Sequence, residues 1–175
     1  SSGRELLKKS VSHSGLAFRP DGKQIALASI SGQIDILEVP TGKELLKVRG
    51  AYQSGRIAYS PDGARIATAH TDHTVVVHDA ATGKELLTLR GHAGAVRGIA
   101  FSPVGGYIAS GGDDRTVRIW SAEGREIATF KGHTASVYSV AFSPDGRRVV
   151  SGGAAREAKQ GEIVAVKVWN VFTPQ

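Results

Sequence analysis

The sequence predicts an all-β protein built from small four-stranded antiparallel sheets stacked around an axis, and three observations predict it. The stretch from Ala81 to Ala122 reads as four short strands joined by tight turns. The rest of the chain reads as three edited copies of that stretch, at a period of about 41 residues. A single sheet of this size cannot cover both its faces, whereas stacked copies cover each face with a neighbour, so repetition is the fold.

Within the reference stretch, the turn Thr82-Gly83-Lys84 opens onto Glu85-Leu86-Leu87-Thr88-Leu89, a short apolar strand stopped by Gly91-His92. Val96 to Phe101 is dense in small and branched residues on both faces, as a covered strand should be, and Ser102-Pro103-Val104-Gly105-Gly106 closes it. Tyr107 to Ser110 forms the third strand. Thr116-Val117-Arg118-Ile119-Trp120 alternates polar and apolar, the pattern of a half-covered fourth.

The copies align on an Ala-aromatic step: Ala17-Phe18, Ala58-Tyr59, Ala100-Phe101 and Ala141-Phe142. Each step is followed by a turn: Arg19-Pro20-Asp21-Gly22, Ser60-Pro61-Asp62-Gly63, Ser102-Pro103-Val104-Gly105 and Ser143-Pro144-Asp145-Gly146. Proline presets the backbone there and glycine supplies positive φ, so these are hairpin turns for a mechanical reason. The strand ahead of each step recurs as Arg4-Glu5-Leu6-Leu7, Lys43-Glu44-Leu45-Leu46, Lys84-Glu85-Leu86-Leu87 and Arg125-Glu126-Ile127-Ala128. Four repeats result, at approximately 1–40, 41–80, 81–122 and 123–175, in a single module over residues 1–175 with no dividing linker. The period lies in the range of propeller blades.

Composition narrows the function classes. With 175 residues and 41% hydrophobic content, the chain can bury a sizeable core, and it has no apolar run long enough to cross a bilayer. No export leader is visible, which predicts a cytoplasmic location. Zero cysteines exclude disulfides, thiolate zinc sites and cysteine nucleophiles. Zero methionines, an initiator included, predict an excised or engineered piece. The net charge is +6, but the 22 Lys and Arg residues are spread over all repeats without a basic stripe or stacking aromatics, so nucleic acid is not the expected partner.

Taken together, Gly-His, then Val-x-x-[Val/Ile]-Ala-Phe-Ser-Pro-Asp-Gly, Ile-Ala-Ser-Gly and Asp-x-Thr-Val-x-Ile-Trp make the chain resemble the WD-repeat β-propeller family over essentially its whole length. The resemblance implies that each repeat begins with the outermost strand of one blade and continues with the three inner strands of the next. It also implies a rigid interaction platform, usually without catalysis. In that family a hydrogen-bonded tetrad ties a blade together, and the matching residues of the third repeat are His92, Ser110, Asp114 and Trp120. The other repeats depart from it. The fourth offers His133, Ser151 and Trp169, with about eight extra residues within 154–164 displacing the turn where the Asp would sit. The second keeps Thr68 and Asp72, with His78 at the Trp position and a shortened Gly50-Ala51 loop; the first has Leu27, Ser31 and Leu37. On this reading stability rises from the first blade to the third.

The chemistry-bearing clusters have bland readings beside the sharp ones. His70, Asp72, His73, His78 and Asp79 are the densest set of metal donors. However, Asp72 and His78 fall on structural positions, and His70 and His73 read as flanking a surface hairpin turn, so no metal and no cofactor is expected. His92, Asp114 and Ser110 superficially match a Ser-His-Asp triad, yet Ser110 lies inside a covered strand, away from any oxyanion hole. Gly111-Gly112 and Gly152-Gly153 lack the Gly-Lys-Ser/Thr and helix start of a phosphate loop. No catalytic constellation survives. By resemblance, Arg97, Tyr138 and Asp113 face the top of the propeller and are either partner-binding or solvated rim residues. Ala95 and Ser136 precede them by two positions, and the first two repeats offer only Ser14 and Gly55 there. The polar insertion within 154–164 reads as an extended hairpin, either a partner loop or neutral variation.

The function expected is a non-catalytic scaffold that self-associates and binds proteins; the alternative is a sensor or regulatory fragment of a larger protein, binding a peptide or small ligand on its top face. Family blades are wedges of roughly 45–50°, so four cannot close a ring alone. Two chains arranged head to tail make eight, with the strand holding Leu6 and Leu7 packing beside the strand around Val168 of the partner copy. The predicted assembly is a homodimer closing an eight-bladed ring. Lys9 stands where the other outer strands carry Val48, Leu89 and Phe130, which makes that exchanged strand the poorest of the set.

Overall fold

The chain is described by a computed structural model over residues 13–49, 54–153 and 165–171. Fifteen strands lie in these stretches: β1 (His13–Phe18), β2 (Gln24–Ser29), β3 (Gln33–Glu38), β4 (Glu44–Arg49), β5 (Ser54–Tyr59), β6 (Arg65–His70), β7 (Thr74–Asp79), β8 (Glu85–Arg90), β9 (Val96–Phe101), β10 (Tyr107–Gly112), β11 (Thr116–Ser121), β12 (Glu126–Lys131), β13 (Val137–Phe142), β14 (Arg148–Gly153) and β15 (Ala165–Asn170). They form antiparallel meanders in the orders β1-β2-β3-β4, β5-β6-β7-β8 and β9-β10-β11-β12, and a three-stranded β13-β14-β15. The outer strands β4, β8 and β12 belong to the repeat that follows each sheet, as the resemblance implies. The fourth sheet has three strands among the described residues, without an outer strand of its own. Leu6, Leu7 and the 154–164 insertion lie outside the described residues.

The hairpins form where proline and glycine demand them. Gly22, Gly63, Gly105 and Gly146 all stand at φ between 68° and 76°, a region costly to any residue with a Cβ. Each donates its N–H to the carbonyl three residues back, on Arg19, Ser60, Ser102 and Ser143, at 2.8–3.0 Å. Three of the turns are locked again by their aspartate: Asp21, Asp62 and Asp145 accept the N–H of Lys23, Ala64 and Arg147 at 2.9–3.0 Å. Ser60 and Ser143 also donate their hydroxyls to Asp62 and Asp145. Val104 replaces that aspartate in the third repeat, and the buried Ser102 hydroxyl finds no hydrogen-bond partner among the described residues.

The apolar core lies between sheets, not within them. Ala26, Ala28, Ile34 and Ile36 on the back of the first sheet pack on Ile57, Tyr59 and Ile66 on the front of the second. Ala67, Ala69, Val75 and Val77 meet Val96, Ile108 and Trp120 in the same way, and Ala109, Val117 and Ile119 meet Val137, Val140 and Val149. Small alanines on β2, β6 and β10 against branched residues let the wedges approach. Gly111 takes this furthest, since a Cβ there would stand 2.5 Å from Val137 Cγ1 of the next sheet. The inner strands β1, β5, β9 and β13 neighbour one another in turn, which places the axis on their side.

Candidate functional site

In the third sheet, β10 carries Ser110 and β11 carries Trp120, while His92 reaches in from the loop after β8. Trp120 Nε1 donates to Ser110 Oγ at 2.8 Å, and His92 Nε2 lies 2.8 Å from the same oxygen. His92 Nδ1 lies 2.9 Å from Asp114 Oδ2, which also accepts the Ala93 N–H at 2.9 Å. Asp114 Oδ1 takes the hydroxyl and N–H of Thr116 at 2.8 and 3.1 Å. A carboxylate only accepts, so His92 Nδ1 carries the proton; Nε2 is then an acceptor, and Ser110 donates to it. Every proton is thus assigned along one chain from indole to hydroxyl to imidazole to carboxylate. Burial pushes the His92 imidazole below its usual range against the pull of Asp114. Burial alone would raise Asp114, but the bonds from Ala93, Thr116 and His92 outweigh it and hold the carboxyl below its ordinary value.

The other sheets hold edited versions. In the fourth, His133 Nε2 and Trp169 Nε1 both lie 2.7 Å from Ser151 Oγ, and Trp169 stacks on Phe130 with centroids 5.2 Å apart. In the first, Leu27 and Leu37 are both buried, so the hydroxyl and the indole are replaced together by packing and Ser31 bonds Ser29 instead. The second departs most from expectation. His70 is buried, with Nε2 2.7 Å from Thr68 Oγ1, whereas the sequence placed it beside a surface turn. It occupies the strand position of Gly112 and Gly153, where a Cβ would stand 2.9 and 2.5 Å from the carbonyl oxygens of Ala95 and Ser136 and 3.1 and 3.5 Å from the Nδ1 of His92 and His133. In the third and fourth repeats the loop supplies the imidazole and the strand keeps glycine; the second repeat has no loop histidine and supplies the ring from the strand. Exchange of glycine for histidine at that register was the signal available in the sequence.

The remaining sequence candidates disperse. Asp72 caps Thr74, His78 Nδ1 lies 3.3 Å from the Gly83 carbonyl, Asp79 holds Thr82, and His73 is exposed at φ 73°. Among the described residues no three His, Cys, Asp or Glu side chains gather as a metal site. Ser110 is fully buried and has both its partners within the network, a geometry for cohesion and not for attack on a substrate.

At the end where the inner strands begin, Arg97 on β9 and Asp113 after β10 form a two-pronged pair, with Nε 3.0 Å and the terminal nitrogen 2.7 Å from Oδ2. About a third of each side chain is exposed. Tyr138 on the neighbouring β13 interacts with Arg97 electrostatically and is half-buried. Ile30, in the position of Asp113, is exposed on the first sheet, where no motif residue marks it in the sequence. Arg65, which belongs to no motif, donates to the Ala122 carbonyl across the second and third sheets at 3.1 Å.

Blade-like sheets stacked front to back, with a His–Ser–Trp lock inside, define a repeat propeller. The chain belongs to the WD-repeat family: the family model described as WD domain, G-beta repeat matches residues 48–79, 83–121 and 124–159, more than half of it. No curated protein matches it in sequence. Among solved structures it is similar to one titled "Structure of U3-55K", at TM-score 0.81 and 24% identity over 95% of this chain and 51% of that one. Another, "Crystal structure of RRP9 WD40 repeats", gives TM-score 0.76 and 24% identity over 86% of this chain and 47% of that one. The chain therefore spans about half the length of the structures it matches.

Proposed function

We propose that the chain is a rigid, non-catalytic WD-repeat scaffold that binds protein or peptide partners at the inner-strand end of its blades. One observation carries this reading: the residues most like a catalytic set are buried and spent on one another, while Arg97 and Asp113 stay partly exposed on the frame that set locks. A pre-paired Arg beside a tyrosine is the composition of an interface anchor. Peptides selected from a display library against the intact chain should bind, and Arg97→Ala or Tyr138→Ala should weaken them about tenfold or more. Binders indifferent to both substitutions would sink the assignment of this end. The half-length match to its neighbours favours a second reading, a sensor segment of a longer protein binding a peptide or small ligand at the same end; a thermal-shift screen with small ligands separates the two.

The scaffold also self-associates. The fourth sheet presents β15 as an edge among the described residues, and an open inner edge is a template for another strand. The segment holding Leu6 and Leu7 of a second copy fills it beside Val168, and two copies complete eight blades. Light scattering at micromolar concentration should give twice the 18.4 kDa chain mass. Deleting residues 1–9 should dissociate or precipitate the protein; a dimer that survives the deletion contradicts the strand exchange.

A further inference from the structure

We infer that the two uncovered blade faces are the complementary halves of one further blade–blade contact, filled head to tail by a second copy of this chain. The inference rests on the self-association proposed above, but on its faces and not on its strand edge.

The three internal contacts state the rule. A back face made of alanine on the second strand and two branched residues on the third always receives a front face made of a branched residue and an aromatic from the next inner strand. Both halves occur once more, unfilled. On the front of the first sheet, Leu16 and Phe18 are 73% and 61% exposed, while Ile57 and Tyr59 at the same positions of the second sheet are both 8% exposed. On the back of the fourth sheet, Val166 and Val168 are 66% and 63% exposed, while Val117 and Ile119 in their register are both at 0%. Val150 stands exposed in the position of the fully buried Ala109. Gly152 sits in the register of Gly111, yet nothing among the described residues approaches it within 4 Å. The back face therefore keeps the notch into which the next blade's strand fits, without the strand.

Contiguous apolar patches of this kind on a soluble surface mark contacts. Shape selects which contact. The front presents large side chains and the back presents valines around a glycine hollow, so front-on-back repeats a packing used three times in this chain, whereas front-on-front would set bulk against bulk. A front-to-back contact is heterologous, and it closes only when the blade rotations complete a turn.

The test uses two doubly substituted chains, Leu16→Glu/Phe18→Glu and Val166→Glu/Val168→Glu. All four positions are exposed on the isolated stack, so each variant retains its fold, with circular dichroism as the check. Each variant alone should run as a monomer at micromolar concentration, its association weakened at least about a hundredfold by charge placed in an apolar contact. An equimolar mixture should recover a dimer, because one seam of the mixed pair joins an unsubstituted front to an unsubstituted back. A dimer formed by either variant alone, or a mixture that stays monomeric while the unsubstituted chain dimerises, overturns the face assignment. A monomeric unsubstituted chain instead overturns the self-association on which it rests.

Discussion

His92 holds two blade elements through one ring, and both its nitrogens are committed. Removing it leaves Ser110 and Asp114 buried without their shared partner, a loss of about 1–3 kcal/mol. Denaturant unfolding of His92→Ala should show that loss, and a smaller one for His133→Ala, because the fourth sheet has no counterpart of Asp114 among the described residues; equal effects would remove the network argument. The ring also makes the molecule acid-sensitive. Burial lowers the folded values of His92, His78 and His133, so below the ordinary histidine value near 6.5 the unfolded chain takes protons that the folded chain refuses. Stability is therefore full above that value and falls as pH drops through the lower folded ones; Asp114, also lowered, adds a second decline in the carboxylate range. Melting temperature should hold between pH 7.5 and about 6.5 and fall from there to pH 5, and a flat or rising trend below 6.5 contradicts the burial. The third-repeat set was legible by motif because each member keeps its residue type. His70 was not, because the same ring arrives there from another position.

At the level of the element, the hairpins were legible because proline and glycine do the same work in all four copies. The third turn is the informative exception. Val104→Asp should give Ser102 the acceptor that Asp62 and Asp145 give its counterparts, and raise stability by about 1 kcal/mol in a denaturant titration; a loss would mean that the contact of Val104 with the Gly146 region outweighs it. Gly111→Ala should cost about 1–3 kcal/mol through the clash with Val137. The expected ranking, with the first blade weakest, assumed that a missing hydroxyl and indole are simply lost. Leu27 and Leu37 replace both at once, which leaves no orphan and is close to neutral in energy.

For the whole molecule, periodicity established that sheets stack, but alternation within one strand could not say which faces stay open. That depends on the neighbour and not on the strand: Val166 and Val117 are the same residue in the same register, one exposed and one buried. Gly152→Ala isolates the difference, for the added methyl meets nothing among the described residues. It should leave the monomer's chemical denaturation unchanged and weaken dimerisation measured by sedimentation; an unaltered dimer would leave the Gly152 notch without a role. The chain's two tryptophans also sit one in each of the last two locks. Trp120 is sealed and Trp169 is partly open to solvent, so their fluorescence should differ in wavelength and in iodide quenching. The protein thus carries a separate optical reporter for its third and fourth blades, and replacing either indole by phenylalanine would reveal in which order those blades melt.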